Sequence, residues 1–224
     1  MDKRGLGVVI PAYNAEKTIK GIAEELIRIG FRPENIIVVD DGSCDRTSEI
    51  VQGLGVSVIR HPKNSGKGAS LRDGFNLARL KSLEKVITID ADNQHRVSEI
   101  ENFLKRADVC DLLIGIRKDN IDAMPWPRRM VNRTVSLVVS LLSDRYIPDA
   151  QCGFRLIDLR IFDRIILQTD RYQTESELLI KASRSGCKIG FVPITTYYNS
   201  SKSYIRPVLD TVRFIRMALR SLWR

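Results

Sequence analysis

Residues 86–92 read Val-Ile-Thr-Ile-Asp-Ala-Asp, an apolar run that ends in an acidic turn. A continuous apolar run of this kind is typical of a strand buried on both faces in a parallel sheet. Further strands are predicted at residues 6–10, 36–39, 56–59, 111–116, 152–156 and 188–193. Helices are predicted between them at residues 15–29, 45–52, 68–80, 98–106, 128–142, 158–167 and 175–185. The alternation predicts an α/β fold with a doubly wound, mostly parallel sheet.

The bulk composition is that of a folded domain with a basic surface. The chain has 224 residues, of which 43% are hydrophobic and 28% charged, so it can bury a core. We expect one domain over residues 1–203 and a basic amphipathic helix over residues 204–224. The net charge of +9 favours anionic partners, namely nucleic acid, a membrane surface or phosphorylated substrates.

Signals for export or membrane spanning are not found in the sequence. No apolar segment typical of a signal peptide follows the start of the chain. The most hydrophobic stretch, residues 135–142, is far shorter than the roughly 20 residues that a spanning helix requires. The four cysteines are widely separated and are predicted to be reduced thiols. We therefore expect a cytoplasmic protein, peripheral on the cytoplasmic face of a membrane.

Polar turns follow three of the predicted strands. They are Pro11-Ala12-Tyr13-Asn14, Asp40-Asp41-Gly42-Ser43 and Asp90-Ala91-Asp92. Because ligands of open parallel sheets bind beyond the carboxyl ends of the strands, these turns are expected to form one site.

The turn at Asp90 and Asp92 has two interpretations. Carboxylates two residues apart can reach one hard divalent cation, and Gln94 can add an amide oxygen. Alternatively, Asp92 or Asn93 simply caps the next helix. Asp40 and Asp41 raise the same question, because one carboxylate could bind a nucleobase edge while the segment caps a βα turn. Lys67 lies in Gly66-Lys67-Gly68, which lacks the spacing of a P-loop but can steer a diphosphate at a helix start.

Several motifs occur together in a characteristic order. They are Val9-Ile10-Pro11-Ala12-Tyr13-Asn14, Val39-Asp40-Asp41-Gly42-Ser43, Asn64-x-Gly66-Lys67-Gly68, Asp90-Ala91-Asp92-x-Gln94-His95 and Gly153-Phe154-Arg155. The set resembles family 2 glycosyltransferases of the GT-A fold over about residues 6 to 202. It is most similar to dolichyl-phosphate mannose synthases and related polyprenyl-phosphate glycosyltransferases. The sequence departs from that pattern where Ala15 precedes Glu16, where Thr196 replaces an arginine, and where Arg96 and Val97 replace prolines.

The resemblance implies a role for each matching residue toward the nucleotide-sugar donor. Pro11, Tyr13 and Glu16 would line the base and ribose pocket, and Val39 and Asp41 would read the base. A further set would contact the sugar diphosphate, namely Lys67, Asp90, Ala91, Asp92, Arg117 and the acceptor-loop lysine Lys202.

The resemblance also implies the metal and the catalytic residues. Asp92 and Gln94 would bind Mg²⁺ or Mn²⁺. Arg117 would neutralise phosphate together with Arg129 and Arg133, which lie four residues apart and therefore on one helical face. His95 is interpreted as a structural histidine beside the metal turn rather than a base.

The reaction that the resemblance implies is inverting transfer of a hexose to a polyprenyl (dolichyl) phosphate. The expected donor is GDP-mannose, with UDP-glucose as the alternative. A soluble or polysaccharide acceptor is a second hypothesis. Nucleic-acid binding is not expected, because aromatic residues make up only 7% of the chain and no recognition motif is present.

The C-terminal segment favours a lipid acceptor. One predicted helical face carries Val208, Val212, Ile215, Leu219 and Leu222, and an adjacent face carries Arg213, Arg216, Arg220 and Arg224. Such a helix can lie in a membrane interface, and a membrane-protein partner is compatible with it. The alternative is a terminal helix packed on the domain with a solvated basic face. The predicted helix at residues 128–142 is either a second interfacial element or core.

Overall fold

The computed structural model describes residues 3, 5–117, 126–197 and 207–222. Within this part of the chain, seven strands form one sheet. The strands are β1 (Leu6–Ala12), β2 (Ile36–Asp40), β3 (Ser57–Arg60), β4 (Lys85–Thr88), β5 (Leu112–Arg117), β6 (Arg155–Asp158) and β7 (Ile189–Ile194). The helices are α1 (Ile19–Arg28), α2 (Thr47–Gln52), α3 (Lys67–Leu80), α4 (Ile100–Leu104), α5 (Trp126–Leu142), α6 (Gln173–Arg184) and α7 (Pro207–Leu222).

The sheet has the order β3-β2-β1-β4-β6-β5-β7. Strands β1 to β4 are parallel to their neighbours in this group, and β5 is parallel to β7. Strand β6 lies between β4 and β5 and is antiparallel to both. The prediction of a mostly parallel α/β sheet is therefore confirmed, with one inserted antiparallel strand.

The sheet is covered by helices on both faces, which explains the continuous apolar runs. Every residue of β2 is buried, and so is every residue of β4. Helix α3 packs across β1 and β2. Because both faces of the sheet are buried, polar residues are left to the loops at the carboxyl ends of the strands. These loops are where a ligand can bind.

One predicted helix and one predicted strand were wrong in detail. Residues 158–167 contain only a short 3-10 turn, Leu159–Asp163, and the strand before it begins at Arg155 rather than at residue 152. The Asp158 carboxylate accepts a hydrogen bond from the backbone N–H of Arg160 at 3.0 Å, which ends the strand in a tight turn. The buried residues that follow, at 159, 161, 165 and 167, do not share one helical face.

The C-terminal helix α7 packs on the domain against α5 and α6. Its packed side chains are Phe214, Met217 and Ala218, and Met217 is buried. The boundary predicted at residue 203 lies outside the described residues. Among the described helices, none combines the length and apolar character that a membrane span requires. All four cysteines are free thiols.

Candidate active site

The loops that follow β1 and β2 are joined by hydrogen bonds. The backbone N–H of Asn14 donates to Ser43 Oγ at 2.9 Å, and that of Ala15 donates to Thr47 Oγ1 at 2.8 Å. In return, Asn14 Oδ1 accepts from the backbone N–H of Cys44 at 2.9 Å. The two loops therefore form one preorganised wall at the carboxyl edge of the sheet.

Two of the acids in the second loop are structural. The carboxylate of Asp40 is fully buried and accepts from the backbone N–H of Ser43 at 2.8 Å and from the Ser48 hydroxyl. Asp45 accepts from the backbone N–H and hydroxyl of Thr47. Burial alone would raise the pKa of Asp45, but these hydrogen bonds hold it below its usual value. For these two residues the capped-turn interpretation describes what is observed.

Asp41 organises the loop that leads to Lys67. Its Oδ1 accepts from the backbone N–H of Ser65 and its Oδ2 from that of Gly66, each at 2.8 Å. His61 Nδ1 lies 2.7 Å from the same Oδ1. A carboxylate offers about four acceptor positions, so contact with a base edge is still geometrically possible. Contact between Asp41 and a base edge stays a prediction. The sequence did not predict that Asp41 also organises the loop at Ser65 and Gly66.

His61 lies between two carboxylates beside an open cleft. Its Nε2 is 3.0 Å from Asp73 Oδ2, on the side opposite Asp41. The cleft has a volume of about 490 Å³ and is lined by Gly42, Ser43, Cys44, Arg60, His61 and Pro62. His61 lines this cleft and contacts Asp41, and Asp41 in turn holds the loop that leads to Lys67. We therefore infer that His61 fixes the position of Asp41 between the cleft and that loop.

Replacement of His61 by alanine is expected to weaken donor binding. Asp41 would lose one of its three polar partners, so we expect the KM for the nucleotide sugar to rise about tenfold and kcat to change less. Steady-state kinetics would measure both. Asp73→Asn is the control, because that side chain is 47% exposed and asparagine keeps a hydrogen-bonding partner for His61 Nε2, so the KM should be nearly unchanged. A fall in kcat at constant KM would contradict the assigned role.

Lys67 links the first half of the site to the acidic turn. Gly66 precedes it with a φ of +109°, a conformation that favours glycine, and Lys67 is the first residue of α3. Its ammonium lies 2.7 Å from Asp90 Oδ1 and 3.2 Å from Glu175 Oε1. Burial alone would lower the pKa of Lys67, but the two carboxylates raise it above its usual value. Burial alone would raise the pKa of Asp90, but the positive charge of Lys67 outweighs burial and lowers that pKa below its usual value.

The segment Gly153-Phe154-Arg155 supports the acidic turn from behind. A Cβ at Gly153 would lie 2.6 Å from Asp90 Oδ2, so only glycine leaves room for the carboxylate. The buried Arg155 guanidinium donates to the carbonyls of Ala150, Cys152 and Glu175, at 2.8, 2.8 and 2.9 Å. Arg155 therefore anchors the loop that precedes β6 and the first turn of α6 beside the site.

The turn at Asp92 and Gln94 provides oxygen ligands of the kind that a hard cation needs. Asp92 is half-buried and its Oδ1 accepts from the backbone N–H of Gln94 at 3.0 Å, while Asn93 has a φ of +58°. No three His, Cys, Asp or Glu side chains converge on a metal site in the described residues. Mg²⁺ is commonly held by one or two carboxylates together with substrate phosphates. The donor set of Asp92 and Gln94 fits such a shared ion.

His95 is a buried neutral ring beside this turn. Burial lowers its pKa to about 4, and the charge of Arg117 acts in the same direction. The ring packs on Phe154, with 5.5 Å between centroids, and the backbone bridges to Thr196. The Gln94 carbonyl also accepts from the N–H of Tyr197 at 2.9 Å. The acidic turn is thereby attached to the segment that leads toward residue 202.

Arg117 ends β5 close enough for its charge to act on His95. Its guanidinium forms a bidentate ion pair with Asp149, through Nε to Oδ2 at 2.6 Å and Nη2 to Oδ1 at 2.7 Å. A planar guanidinium held this way has a fixed orientation. The structure thus brings Arg117 to the site, and its contact with phosphate stays a prediction.

The remaining predicted residues fall into four groups. Pro11, Tyr13 and Glu16 lie half-buried along the first loop, and Ala91 is buried within the acidic turn. Val39 is fully buried in the sheet, where it supports the loop, and its contact with the base stays a prediction. On α5, Arg129 is half-buried and Arg133 exposed; no contact with an acceptor is shown. Lys202 lies outside the described residues.

Three contacts with predicted site residues were missed from the sequence, and they are made by Glu175, Asp149 and His61. Each pairs with a predicted site residue that is 20 or more positions away in the chain. The available signal was weak. Glu175 and Glu177 lie just before the apolar run Leu178-Leu179-Ile180, and both acids are buried in α6, which is unusual for acidic residues.

The fold and the acidic turn at its carboxyl edge define a glycosyltransferase of the GT-A type. Residues 7–166 match the family described as Glycosyl transferase family 2, and the chain belongs to this family. The resemblance seen in the motifs is thereby confirmed.

Named relatives are similar over most of the chain. A UDP-N-acetylglucosamine–dolichyl-phosphate N-acetylglucosaminyltransferase of Methanococcus voltae is 32% identical over 85% of this chain and 85% of its own length. A polyprenol monophosphomannose synthase of Mycolicibacterium smegmatis is 27% identical over 84% of this chain and 76% of its own.

A solved structure of similar fold is glucosyl-3-phosphoglycerate synthase from Mycobacterium tuberculosis, in complex with Mn²⁺, uridine diphosphate and phosphoglyceric acid. It has a TM-score of 0.72 and 21% sequence identity, and the match covers 97% of this chain and 76% of that one. At this identity the likeness establishes the shared fold alone.

Proposed function

We propose that this family 2 glycosyltransferase moves a sugar from a nucleoside diphosphate sugar to a polyprenyl phosphate, with inversion at the anomeric carbon. The observation that carries the proposal is the arrangement of the acidic turn. Asp90 is locked by Lys67, Asp92 and Gln94 present oxygen ligands, and the charge of Arg117 acts on the adjacent His95. The named relatives that act on dolichyl or polyprenol carriers support the acceptor class.

The chemical difficulty in this reaction is the approach of two anions. A phosphate monoester is largely ionised near neutral pH, so its oxygen can attack the anomeric carbon without a strong protein base. The protein must then neutralise charge and align the reactants. Arg117 serves the donor phosphates, and Arg129 and Arg133 on α5 serve the acceptor phosphate.

Asp92 and Gln94 would hold a divalent ion on the donor side. Bound by Asp92 and Gln94, Mg²⁺ or Mn²⁺ would stabilise the negative charge of the departing diphosphate. Lys67 keeps Asp90 in place at the same turn, and the wall formed by the β1 and β2 loops orients the base and ribose.

Three nucleotide sugars are the candidate donors. The named relatives differ in the sugar, since one uses UDP-N-acetylglucosamine and the other makes a phosphomannose. The greater similarity to the first makes UDP-N-acetylglucosamine the first donor to test. GDP-mannose, predicted from the motifs, and UDP-glucose complete the set.

We also propose that the enzyme works at the surface of a membrane, on its cytoplasmic face, because the acceptor is a lipid and the donors are cytoplasmic metabolites. A membrane-protein partner is compatible with this arrangement. The physical support is the C-terminal helix, whose apolar residues Val212, Ile215 and Leu219 remain exposed.

The proposed reaction is tested by incubating the protein with each of the three nucleotide sugars, Mn²⁺ and a polyprenyl phosphate. We expect one donor to give a lipid-extractable radiolabelled product, and chelation by EDTA to abolish its formation because the diphosphate loses its counterion. Restoration by added Mn²⁺ or Mg²⁺ is the control for chelation. Transfer to a soluble sugar or glycan in place of the lipid would disprove the acceptor assignment, and equal activity in EDTA would disprove the metal assignment.

A further inference from the structure

Exposed apolar side chains are concentrated on two helices. Of the fourteen large hydrophobic residues that are exposed in the described part of the chain, ten lie on α5 and α7, five on each. On α5 these are Trp126, Met130, Val131, Leu137 and Leu141, and on α7 they are Leu209, Val212, Ile215, Leu219 and Leu222. A cluster of this kind marks an interaction surface rather than chance exposure.

Helix α7 has two apolar faces, and the domain uses only one of them. Phe214, Met217 and Ala218 pack inward. The exposed stripe lies on a different side of the helix, and the exposed Arg216 and Arg220 lie between the two faces. The alternative that the sequence left open, a terminal helix packed on the domain with a solvated basic face, describes the packed side of α7 but does not account for this second stripe.

Helix α5 repeats the pattern. Trp126, Met130, Leu137 and Leu141 are spaced by 4, 7 and 4 residues and so fall on one helical face. The opposite face, including Val135 and Val139, is buried in the domain. Arg133 is exposed at the edge of the apolar stripe.

The two helices end side by side. The guanidinium of Arg184, on α6, donates to the Leu142 carbonyl at the end of α5 at 2.9 Å and also to the Ser221 carbonyl near the end of α7. One side chain therefore caps both helices, which lie in mutual contact. The C-terminal ends of the two helices that carry the exposed stripes are therefore close together.

We propose that α5 and α7 together form a docking surface for an anionic lipid bilayer. This inference rests on the proposed lipid acceptor and specifies how the enzyme reaches it. Apolar stripes flanked by arginines match the interface between acyl chains and anionic headgroups. A second copy of the chain is a poorer occupant, because it would bring like-charged arginines together.

The surface also explains why the predicted acceptor arginines belong to α5. Arg129 and Arg133 lie on the same helix as the inserted stripe, close to its Trp126 end. Insertion of that stripe places both guanidinium groups near the headgroup level, where the phosphate of a polyprenyl phosphate resides. Docking and acceptor capture are then performed by one helix.

Vesicle flotation of the full chain tests the docking surface. Leu137→Glu with Leu141→Glu removes the α5 stripe, and Ile215→Glu with Leu219→Glu removes that of α7. We expect each pair to lower partitioning onto vesicles with 30% phosphatidylserine at least about tenfold, since two inserted leucine-sized groups are lost. Leu80→Glu is the matched control, because Leu80 is 83% exposed on α3 and should leave binding unchanged.

The fluorescence of Trp126 gives a second readout. Only Trp126 and Trp223 are present in the chain, so a Trp223→Phe background isolates Trp126. We expect its emission to shift to the blue with anionic vesicles and to remain unshifted in the α5 variant. No shift in the parent protein would exclude α5 from the docking surface.

Activity measurements separate this inference from the proposed reaction. With a short, water-soluble prenyl phosphate, the stripe variants should transfer sugar as the parent does, while transfer to polyprenyl phosphate in vesicles falls about tenfold. Parent-like vesicle binding of both variants would overturn the docking surface and leave the reaction standing. Failure of the parent on both acceptors would overturn the reaction. A concentration-dependent dimer that the variants abolish, without vesicle binding, would assign the surface to a second copy.

Discussion

Replacement of Asp92 by alanine is expected to abolish sugar transfer while the protein stays folded. The half-buried carboxylate is one of two protein ligands proposed for the divalent ion, and a diphosphate without that ion is a poor leaving group. We expect kcat/KM to fall at least about 10³-fold. The free energy of unfolding should fall by only about 1 kcal/mol, the value of a lost cap.

Asp92→Asn distinguishes the two interpretations of this turn. Asparagine retains the side-chain oxygen that accepts from the Gln94 N–H, so it preserves a cap, but it removes the charge that the cation needs. If Asp92 were only a cap, the asparagine variant would be fully active. We expect it to be nearly as inactive as alanine, with Mn²⁺ binding in the presence of nucleoside diphosphate lost when measured by calorimetry. Asn93→Gly, which suits the positive φ at that position, is the folded control.

The architecture was predictable because it depends on local patterns. Runs such as residues 36–39 are apolar throughout, and only a strand covered on both faces explains them. The same reasoning placed the turns at Asp41 and Asp90 on one edge. The antiparallel insertion of β6 between β4 and β5 was not predictable, because strand order depends on tertiary packing that no local pattern records.

The polar partners of the predicted site residues were not predictable for a related reason. Lys67 was predicted to steer a diphosphate, and that role stays a prediction. The pairing of its ammonium with Asp90 and Glu175, which come from two distant segments, was not predicted. Arg117 likewise pairs with Asp149, 32 positions away. Motifs identify residues that face the ligand, whereas the residues that orient them are identified only by the fold.

Loss of the Lys67 ammonium is expected to damage both stability and catalysis. In Lys67→Met, Asp90 and Glu175 would lose their shared counterion, and the nearest remaining cation, Arg155, lies 4.0 Å from Glu175. Removal of the cation from this partly buried cluster leaves an uncompensated charge, so we expect the free energy of unfolding to fall by about 2 kcal/mol at pH 7. With Asp90 no longer held, transfer should fall about 100-fold. Urea denaturation and initial rates would measure the two effects.

The stability that Lys67 contributes through its charge is expected to depend on pH. Lys67 depresses the pKa of Asp90 in the folded protein, so its stabilisation is present above the unfolded pKa of about 3.9 and is lost as the pH falls through the lower folded value. The stability gap between parent and Lys67→Met should therefore be full at pH 7 and shrink below about pH 4. A gap that stays constant with pH would show that lost packing, rather than lost charge, causes the destabilisation.

A double variant separates the structural role of Lys67 from its role in the reaction. Lys67→Met with Glu175→Gln removes one negative charge along with the cation, so the four-residue cluster with Asp90 and Arg155 is again neutral. We expect most of the lost stability to return, because the uncompensated charge is gone. Transfer should not return, because Asp90 still lacks the contact at 2.7 Å that fixes it beside the metal turn. Recovery of both properties would mean that Lys67 only stabilises the fold, and recovery of stability alone assigns it the positioning of Asp90.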